Sequence, residues 1–348
     1  MKIESFRKVM LVADNQVELW ETKDKELPWD ENKILVKTQY SAISSGSEYA
    51  NVVGDKNINA TLPAEETVLV RPAGLGYASS GIVEKVGANV TSVKEGDRVA
   101  LIACGHQSHH VVDESKVLKI PYDDITLQEV APMYIACFSI SGARKLRIEA
   151  GESVAVMGCG FLGLYAVQFC AAMGATPVIA VDPIKEKREK ALELGADYAV
   201  DPFEEGFAEK MKALTDGRGI NAAIEVTGKG EGLDMVLDCM ARHGRVSLLG
   251  CTRNSNFTID YYRKVHYPGI ELIGAHTGTR PENDSRPGFW TLRDDYEAMF
   301  RLLHYKKVNF QAMISEIHPV AETSQVYSRL ANDYAHFRGC VLFDWTKE

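Results

Sequence analysis

Apolar positions along this chain follow two rhythms that change over near residue 125. Before it, short β-branched runs recur between polar turns, as in Val9 to Ala13 and Ile34 to Thr38. The stretch Arg71 to Leu101 (RPAGLGYASSGIVEKVGANVTSVKEGDRVAL) repeats the pattern, with turns at Gly87 and Gly96-Asp97. This alternation predicts a small barrel-like β domain. Tyr40 to Gly54 (YSAISSGSEYANVVG) is a Ser/Gly-rich break leading into a short helix. Residues 125 to 150 read as helical, and Gly151-Glu152 as a turn.

From Ser153 the rhythm becomes strand, helix, strand. Val154 to Met157 is a short apolar run, Leu164 to Met173 a helix of small and apolar residues, and Val178 to Val181 a second buried strand. Further helices are predicted in KEKREKALELGA, FEEGFAEKMKALT and EGLDMVLDCMARHG. Strands are predicted at Tyr198 to Val200, NAAIEVTG, RVSLLG and Ile270 to His276. Strands alternating with helices imply a parallel, doubly wound α/β sheet. Thr277 to Gly288 (TGTRPENDSRPG) reads as a connector, followed by helices at Arg293 to His304 and Ala321 to Asn332 and a strand at Gly339 to Phe343.

At 348 residues the chain is expected to hold two domains. The net charge of −9 argues against a nucleic-acid or anionic-membrane partner. No apolar run reaches the length of a span or a signal core, so a cytoplasmic protein is expected. The 7 cysteines, at 104, 137, 159, 170, 239, 251 and 340, form no CxxC pair, which argues against a disulfide framework or a thiolate zinc site.

The first βαβ unit carries the clearest chemistry. Gly158, Gly160 and Gly163 stand in G-x-G-x-x-G spacing, with Phe161 and Leu162 between the last two. The spacing suits a tight turn, close approach of a pyrophosphate, and helix packing on the sheet, with the helix N-terminus facing the phosphates. Asp182 ends the second strand 19 residues beyond Gly163, where a carboxylate can accept both adenine-ribose hydroxyls and would repel a 2′-phosphate. The pattern predicts an NAD site. His276 ends a strand at the sheet's carboxyl edge, where ligands bind in such folds.

The order of these parts resembles the medium-chain dehydrogenase/reductase superfamily over essentially the whole chain. GIVEKVGANVTSVKEGDRVAL, VAVMGCGFLGLYAVQ and VDPIKEKREKALELGADYAVDP carry the likeness most strongly. The resemblance implies a GroES-like β-barrel catalytic domain (1–128), a Rossmann domain (129–288) and a C-terminal segment (289–348) that returns to the first domain. It implies an active site between the domains, a homodimer through sheet edges near residues 265 to 285, and cofactor roles for Lys187, Val226, Thr227, Leu249 and Gly250. Lys187 reads equally as one charge on a solvated KEKREK face.

The chain departs from the zinc-binding members of that family. The C-G-x-D motif reads Ser45-Gly46-Ser47-Glu48, the G-H-E motif reads Gly76-Tyr77-Ala78, and the third ligand position falls near Met133. These groups would hold zinc poorly, so no metal is expected. The remaining candidates for proton transfer are Ser45, Ser47, Glu48, Tyr77 and His106. Ser47 matches the family's relay hydroxyl, while Glu48, freed from bracing a zinc histidine, is a candidate base or sugar-hydroxyl ligand. The serine run also reads simply as a helix cap.

S-x-I-S-x-G-[ST]-E and G-Y-x-x-x-G resemble bacteriochlorophyllide dehydrogenase-like proteins. The V-D-P-I run and Pro287-Gly288-Phe289-Trp290 resemble bacterial glycoside 3-dehydrogenases. The expected activity is NAD-dependent oxidation of a secondary alcohol of a sugar, glycoside or polyol. A zinc-free enone or quinone reductase and a non-catalytic NAD-binding protein stand as alternatives.

Overall fold

The structure is a computed structural model that describes residues 1–334, 337 and 339–347. The chain forms two compact units: Met1–Ile135 with Phe310–Glu348, and Ala136–Asn309.

The first unit opens with a long hairpin, β1 (Lys2–Ala13) and β2 (Gln16–Glu26), then β3 (Ile34–Ala42) and helix α1 (Ser45–Val52). Strands β4 (Ala73–Gly74), β5 (Ala78–Val86), β6 (Arg98–Ile102), β7 (His109–Val112) and β8 (Val117–Lys119) follow. The sequence pattern locates most of these but shortens the hairpin to its apolar half. Helices α2 (Leu127–Val130) and α3 (Met133–Lys145) lead into the second unit. A reciprocal capping box starts α2, between Thr126 and Glu129.

The second unit is the predicted βα repeat: β9 (Val154–Met157), α4 (Phe161–Ala172), β10 (Val178–Val181), α5 (Lys185–Glu193) and β11 (Tyr198–Val200). It continues with α6 (Phe207–Ala213), β12 (Ile220–Glu225), α7 (Gly230–Cys239), β13 (Met240–Leu248), β14 (Glu271–Gly274) and α8 (Leu292–His304). The strands stand in the order β11-β10-β9-β12-β13-β14, all parallel. Every residue of β9 and β10 is buried, which explains their continuous apolar runs.

Three boundaries differ from the periodicity. Helix α6 starts only at Phe207, because Gly206 takes a left-handed conformation (φ 71°) that ends the preceding turn. Helix α7 stops at Cys239, and Met240 to Gly244, expected to be helical, instead opens β13, where Met240 pairs with Ile220. β14 ends at Gly274, two residues short of His276.

The tail rejoins the first unit as β15 (Ile314–Pro319), α9 (Thr323–Asn332) and β16 (Cys340–Asp344). β16 pairs in parallel with β15 and antiparallel with β3, giving the order β15-β16-β3-β5-β6-β8, with β7 also on β3. The tail groups with the first unit from Phe310 onward. Helix α8 stays with the second unit because buried Asp295 bonds Arg144 Nε at 2.7 Å and Arg280 Nη1 at 2.5 Å. Among the described residues, no helix is long and apolar enough to cross a membrane.

Candidate active site

Residue Ser44 caps the start of α1, where its backbone N–H would otherwise be unpaired. The Glu48 side chain reaches back and accepts that N–H at 2.7 Å. Its other oxygen takes the Tyr327 hydroxyl and sits 3.2 Å from His106 Nε2. His106 Nδ1 lies 2.7 Å from Ser41 Oγ, which also accepts the Trp345 indole N–H at 2.8 Å. Glu48, His106, Ser41, Tyr327 and Trp345 are all buried.

This corrects the expectation for Glu48. Its carboxylate is 1% exposed and bonded at both oxygens, so it is neither a free base nor a ligand for a sugar hydroxyl. His106 is also 1% exposed with both ring nitrogens engaged. The structure makes the two a bracing pair.

Tyr77 stands at the entrance to β5, half-buried, with its hydroxyl turned inward to donate to Ser44 Oγ. Ser47 bonds the same phenol, and the Tyr134 ring meets it edge-on with centroids 5.7 Å apart. Burial pushes the Tyr77 phenol up to about 12; the Ser44 and Ser47 bonds pull it down, and Glu48 and Tyr134 push it up further. Ser44, absent from the sequence-derived set, thus shares the phenol with Ser47, and Tyr134, also absent from that set, packs on its ring. Ser45 is half-buried in the first turn of α1, apart from this bonded set.

The preceding residue, Gly76, holds φ +79°, and a Cβ there would fall 2.4 Å from the His106 ring. Gly76→Ala is expected to destabilise the first unit by about 1–3 kcal/mol, measurable as a lower midpoint in urea unfolding. A midpoint equal to wild type would show that His106 can yield.

The usual zinc donors are replaced here by a serine hydroxyl, a phenol held neutral at physiological pH, and the buried thioether of Met133. None is a strong zinc ligand. Of the remaining loop histidines, His109 Nε2 lies 3.5 Å from Glu84, and His110 Nδ1 lies 3.0 Å from Gln107 Nε2 while its Nε2 is buried without a hydrogen-bond partner. Burial lowers His109 to about 4 and His110 to about 3. His109 is half-buried and His110 buried. Among the described residues, no group of three or more His, Cys, Asp or Glu is placed to hold a metal.

The second unit carries the glycine loop. Gly158 turns at φ +101°, a Cβ on Gly163 would lie 1.8 Å from the Gly158 carbonyl oxygen, and a Cβ on Gly160 would meet nothing within 4 Å. The first and third glycines are thus steric necessities, and the second leaves open space over the N-terminus of α4, which starts at Phe161 and Leu162. Asp182 is buried at the end of β10 and accepts the Cys159 N–H at 2.8 Å and the Ile184 N–H at 2.8 Å. A carboxylate has about four acceptor positions, so two remain for ribose hydroxyls. Lys187 is half-buried, unlike exposed Lys185 on the same helix; burial pushes the Cys159 thiol up, and the Lys187 charge lies near enough to oppose this.

Val226 and Thr227 follow β12, and Leu249 and Gly250 follow β13, on the carboxyl side of the sheet. The Leu249 and Gly250 N–H groups both donate to the Glu225 carbonyl, at 2.9 and 2.8 Å. The Glu225 carboxylate accepts the Thr227 N–H at 2.8 Å and the Gly228 N–H at 3.1 Å, fixing this turn beside Gly158. His276 is exposed and accepts the Gly278 N–H at 3.1 Å, so its ring caps a turn.

Residues 30–122 match the family model for an alcohol dehydrogenase GroES-like domain, and residues 162–295 the model for a zinc-binding dehydrogenase. The chain belongs to the medium-chain dehydrogenase/reductase superfamily, the alcohol dehydrogenase-like oxidoreductases. It is 27% identical over 271 residues to an L-threonine 3-dehydrogenase of Pyrococcus horikoshii, covering 70% of this chain and 74% of that one. It is 25% identical over 266 residues to a D-guloside 3-dehydrogenase of Escherichia coli, covering 75% and 74%. The crystal structure of galactitol-1-phosphate dehydrogenase from Escherichia coli superposes with a TM-score of 0.81 at 20% identity, over 97% of this chain and 99% of that one.

Proposed function

We propose that this protein is an NAD-dependent dehydrogenase that oxidises a secondary alcohol of a sugar, glycoside or polyol without a catalytic zinc. The observation that carries the reading is that Tyr77, at the motif position of the family's zinc histidine, bonds Ser44 and Ser47, the near neighbours of Ser45 at the cysteine position. The resemblance to D-guloside 3-dehydrogenase supports a polyhydroxylated substrate.

Gly158, Gly160 and Gly163 would hold the cofactor's pyrophosphate, and Asp182 with Lys187 its adenine ribose. Bound NAD supplies the hydride acceptor. Alcohol oxidation also needs a group that takes the hydroxyl proton, and the reverse reaction needs one that returns it. The neutral Tyr77 phenol donates readily to a forming alkoxide, and Ser47 and Ser44 are placed to pass or hold that proton. The exposed strand β14 ends the sheet, an edge that supports a homodimer through pairing with a second copy.

The first test is NAD reduction on a panel of polyols and methyl glycosides, with metal content measured by mass spectrometry and turnover repeated with chelator. Chelator-resistant oxidation of a polyol supports the reading. Reduction of enones by NADH with no polyol turnover would replace it with a conjugate reductase. One tight zinc per chain would overturn the metal-free site.

For the cofactor, Asp182→Ala is expected to weaken NAD binding about 10- to 100-fold, through loss of charged hydrogen bonds. It should weaken NADP binding less, because the repulsion of the 2′-phosphate is gone. Isothermal titration with both nucleotides checks this; an unchanged NAD-to-NADP ratio would move discrimination elsewhere.

A further inference from the structure

We propose that Tyr327, brought in by the returning tail, is a positioning residue: with His106 it holds the Glu48 carboxylate against the Ser44 backbone and so fixes the Ser44–Tyr77 hydroxyl pair. The inference rests on the reading of Tyr77 as the proton-transferring group.

Each donor named in the cluster finds an acceptor. The Trp345 indole N–H can only donate, and Ser41 Oγ accepts it at 2.8 Å. The Ser41 proton is then available to His106 Nδ1 at 2.7 Å, leaving the Nε2–H to donate to Glu48 Oε2 at 3.2 Å. Tyr327 donates to that same oxygen, and the Ser44 N–H to the other at 2.7 Å. Burial, then the adjacent Glu48 charge, raises the Tyr327 phenol well above its usual value and keeps it a donor. The groups facing Glu48 are thus His106, Tyr327 and Ser44, with Tyr77 near enough to feel its charge.

These partners come from separate parts of the chain. Ser41 lies on β3, His106 follows β6, Tyr327 lies on α9 and Trp345 follows β16. A carboxylate that merely capped α1 would need one N–H and could remain at the surface. Glu48 instead lies at 1% exposure and gathers three donors, one of which is the backbone of the residue that receives the Tyr77 hydroxyl. Removing the Tyr327 hydroxyl leaves a buried acceptor short of a donor. Glu48 is then free to turn from Ser44, and the Ser44–Tyr77 pair loses its fixed geometry.

The test uses the full-length protein labelled with 13Cζ-tyrosine, with Tyr77 assigned as the signal lost in Y77F. Y327F, E48Q and S44A are compared with wild type, the Tyr49 and Tyr165 signals and circular dichroism serving as controls for the fold. The expected result is that the Tyr77 signal moves in all three variants while the control signals stay put. A Tyr77 signal that moves in S44A but not in Y327F or E48Q overturns the proposal. Should E48Q not fold, Y327F decides alone.

Kinetics supply an independent reading with NAD and whichever polyol of the panel turns over. Y327F is expected to lower kcat by about 10- to 100-fold with an unchanged KM for NAD. In a Y77F background it should have no further effect. Additive losses would show that Tyr327 acts elsewhere. A fully active Y77F would sink the reading of Tyr77 itself, while the spectra would still decide the positioning claim.

Discussion

Tyr77→Phe is expected to keep the fold and the affinity for NAD while lowering turnover by about 10²- to 10⁴-fold, the usual worth of a placed acid or base. Phenylalanine preserves the ring and its edge contact with Tyr134, so only the proton-carrying oxygen is lost. The phenol's rise to about 12 also fixes the pH behaviour. At assay pH Tyr77 is neutral, so the reductive direction loses nothing from it across the working range. In the oxidative direction only the ionised fraction accepts a proton directly. That fraction grows about tenfold for each pH unit below 12. Oxidation should therefore keep rising with pH and show no plateau below about pH 10. A Tyr77→Phe variant within threefold of wild type, or a plateau near neutrality that survives it, would assign proton transfer to another group.

The largest stability effect is expected at Asp295. Its side chain is fully buried between Arg144 and Arg280, which themselves keep 16% and 8% of their side-chain surface. Burial pushes the Asp295 carboxyl up, and the two guanidinium groups pull it back. Asp295→Ala removes the carboxylate bonded to both arginines and strands two cations, of which Arg280 already has a buried Nε without a partner. Breaking such a network from one side costs about 3–5 kcal/mol. A midpoint lower by roughly 10 °C should follow. Asp295→Asn keeps the shape but not the charge and should recover little of the loss. Thermal unfolding of both variants measures this. A shift of a degree or two would mean that water reaches the arginines and replaces the carboxylate.

The second unit was readable because its strands are buried on both faces and its turns are marked by glycines whose geometry admits little else, Gly158 and Gly163 above all. Asp182 was legible for the same reason: a charged residue ending an apolar strand at a fixed distance from the loop. The hydroxyl cluster was legible only in part. The departures from the zinc motifs drew attention to Ser45, Ser47, Glu48, Tyr77 and His106, and the structure gathers four of these around Ser44. Nothing local distinguishes Ser44 from Ser45, since the choice depends on which serine faces the phenol. Tyr327 and Trp345 gave no signal at all: they reach Ser41 and Glu48 from about 280 to 300 residues away. Glu48 was misjudged because its bonding depends on those distant donors. The α7–β13 boundary failed because the apolar spacing of Met240 to Gly244 fits a helix, while pairing with β12 pulls the backbone straight.

The placement of β16 between β15 and β3 has a consequence for biosynthesis. Residues 136–309 form one uninterrupted unit and can fold as soon as they clear the ribosome. The 135 residues ahead of them cannot finish. Until the final strand emerges, the Tyr40–Ala42 edge of β3 lacks its partner and the Glu48 side chain has no Tyr327 to meet. A nascent chain with that edge open is the state in which holding chaperones would matter most.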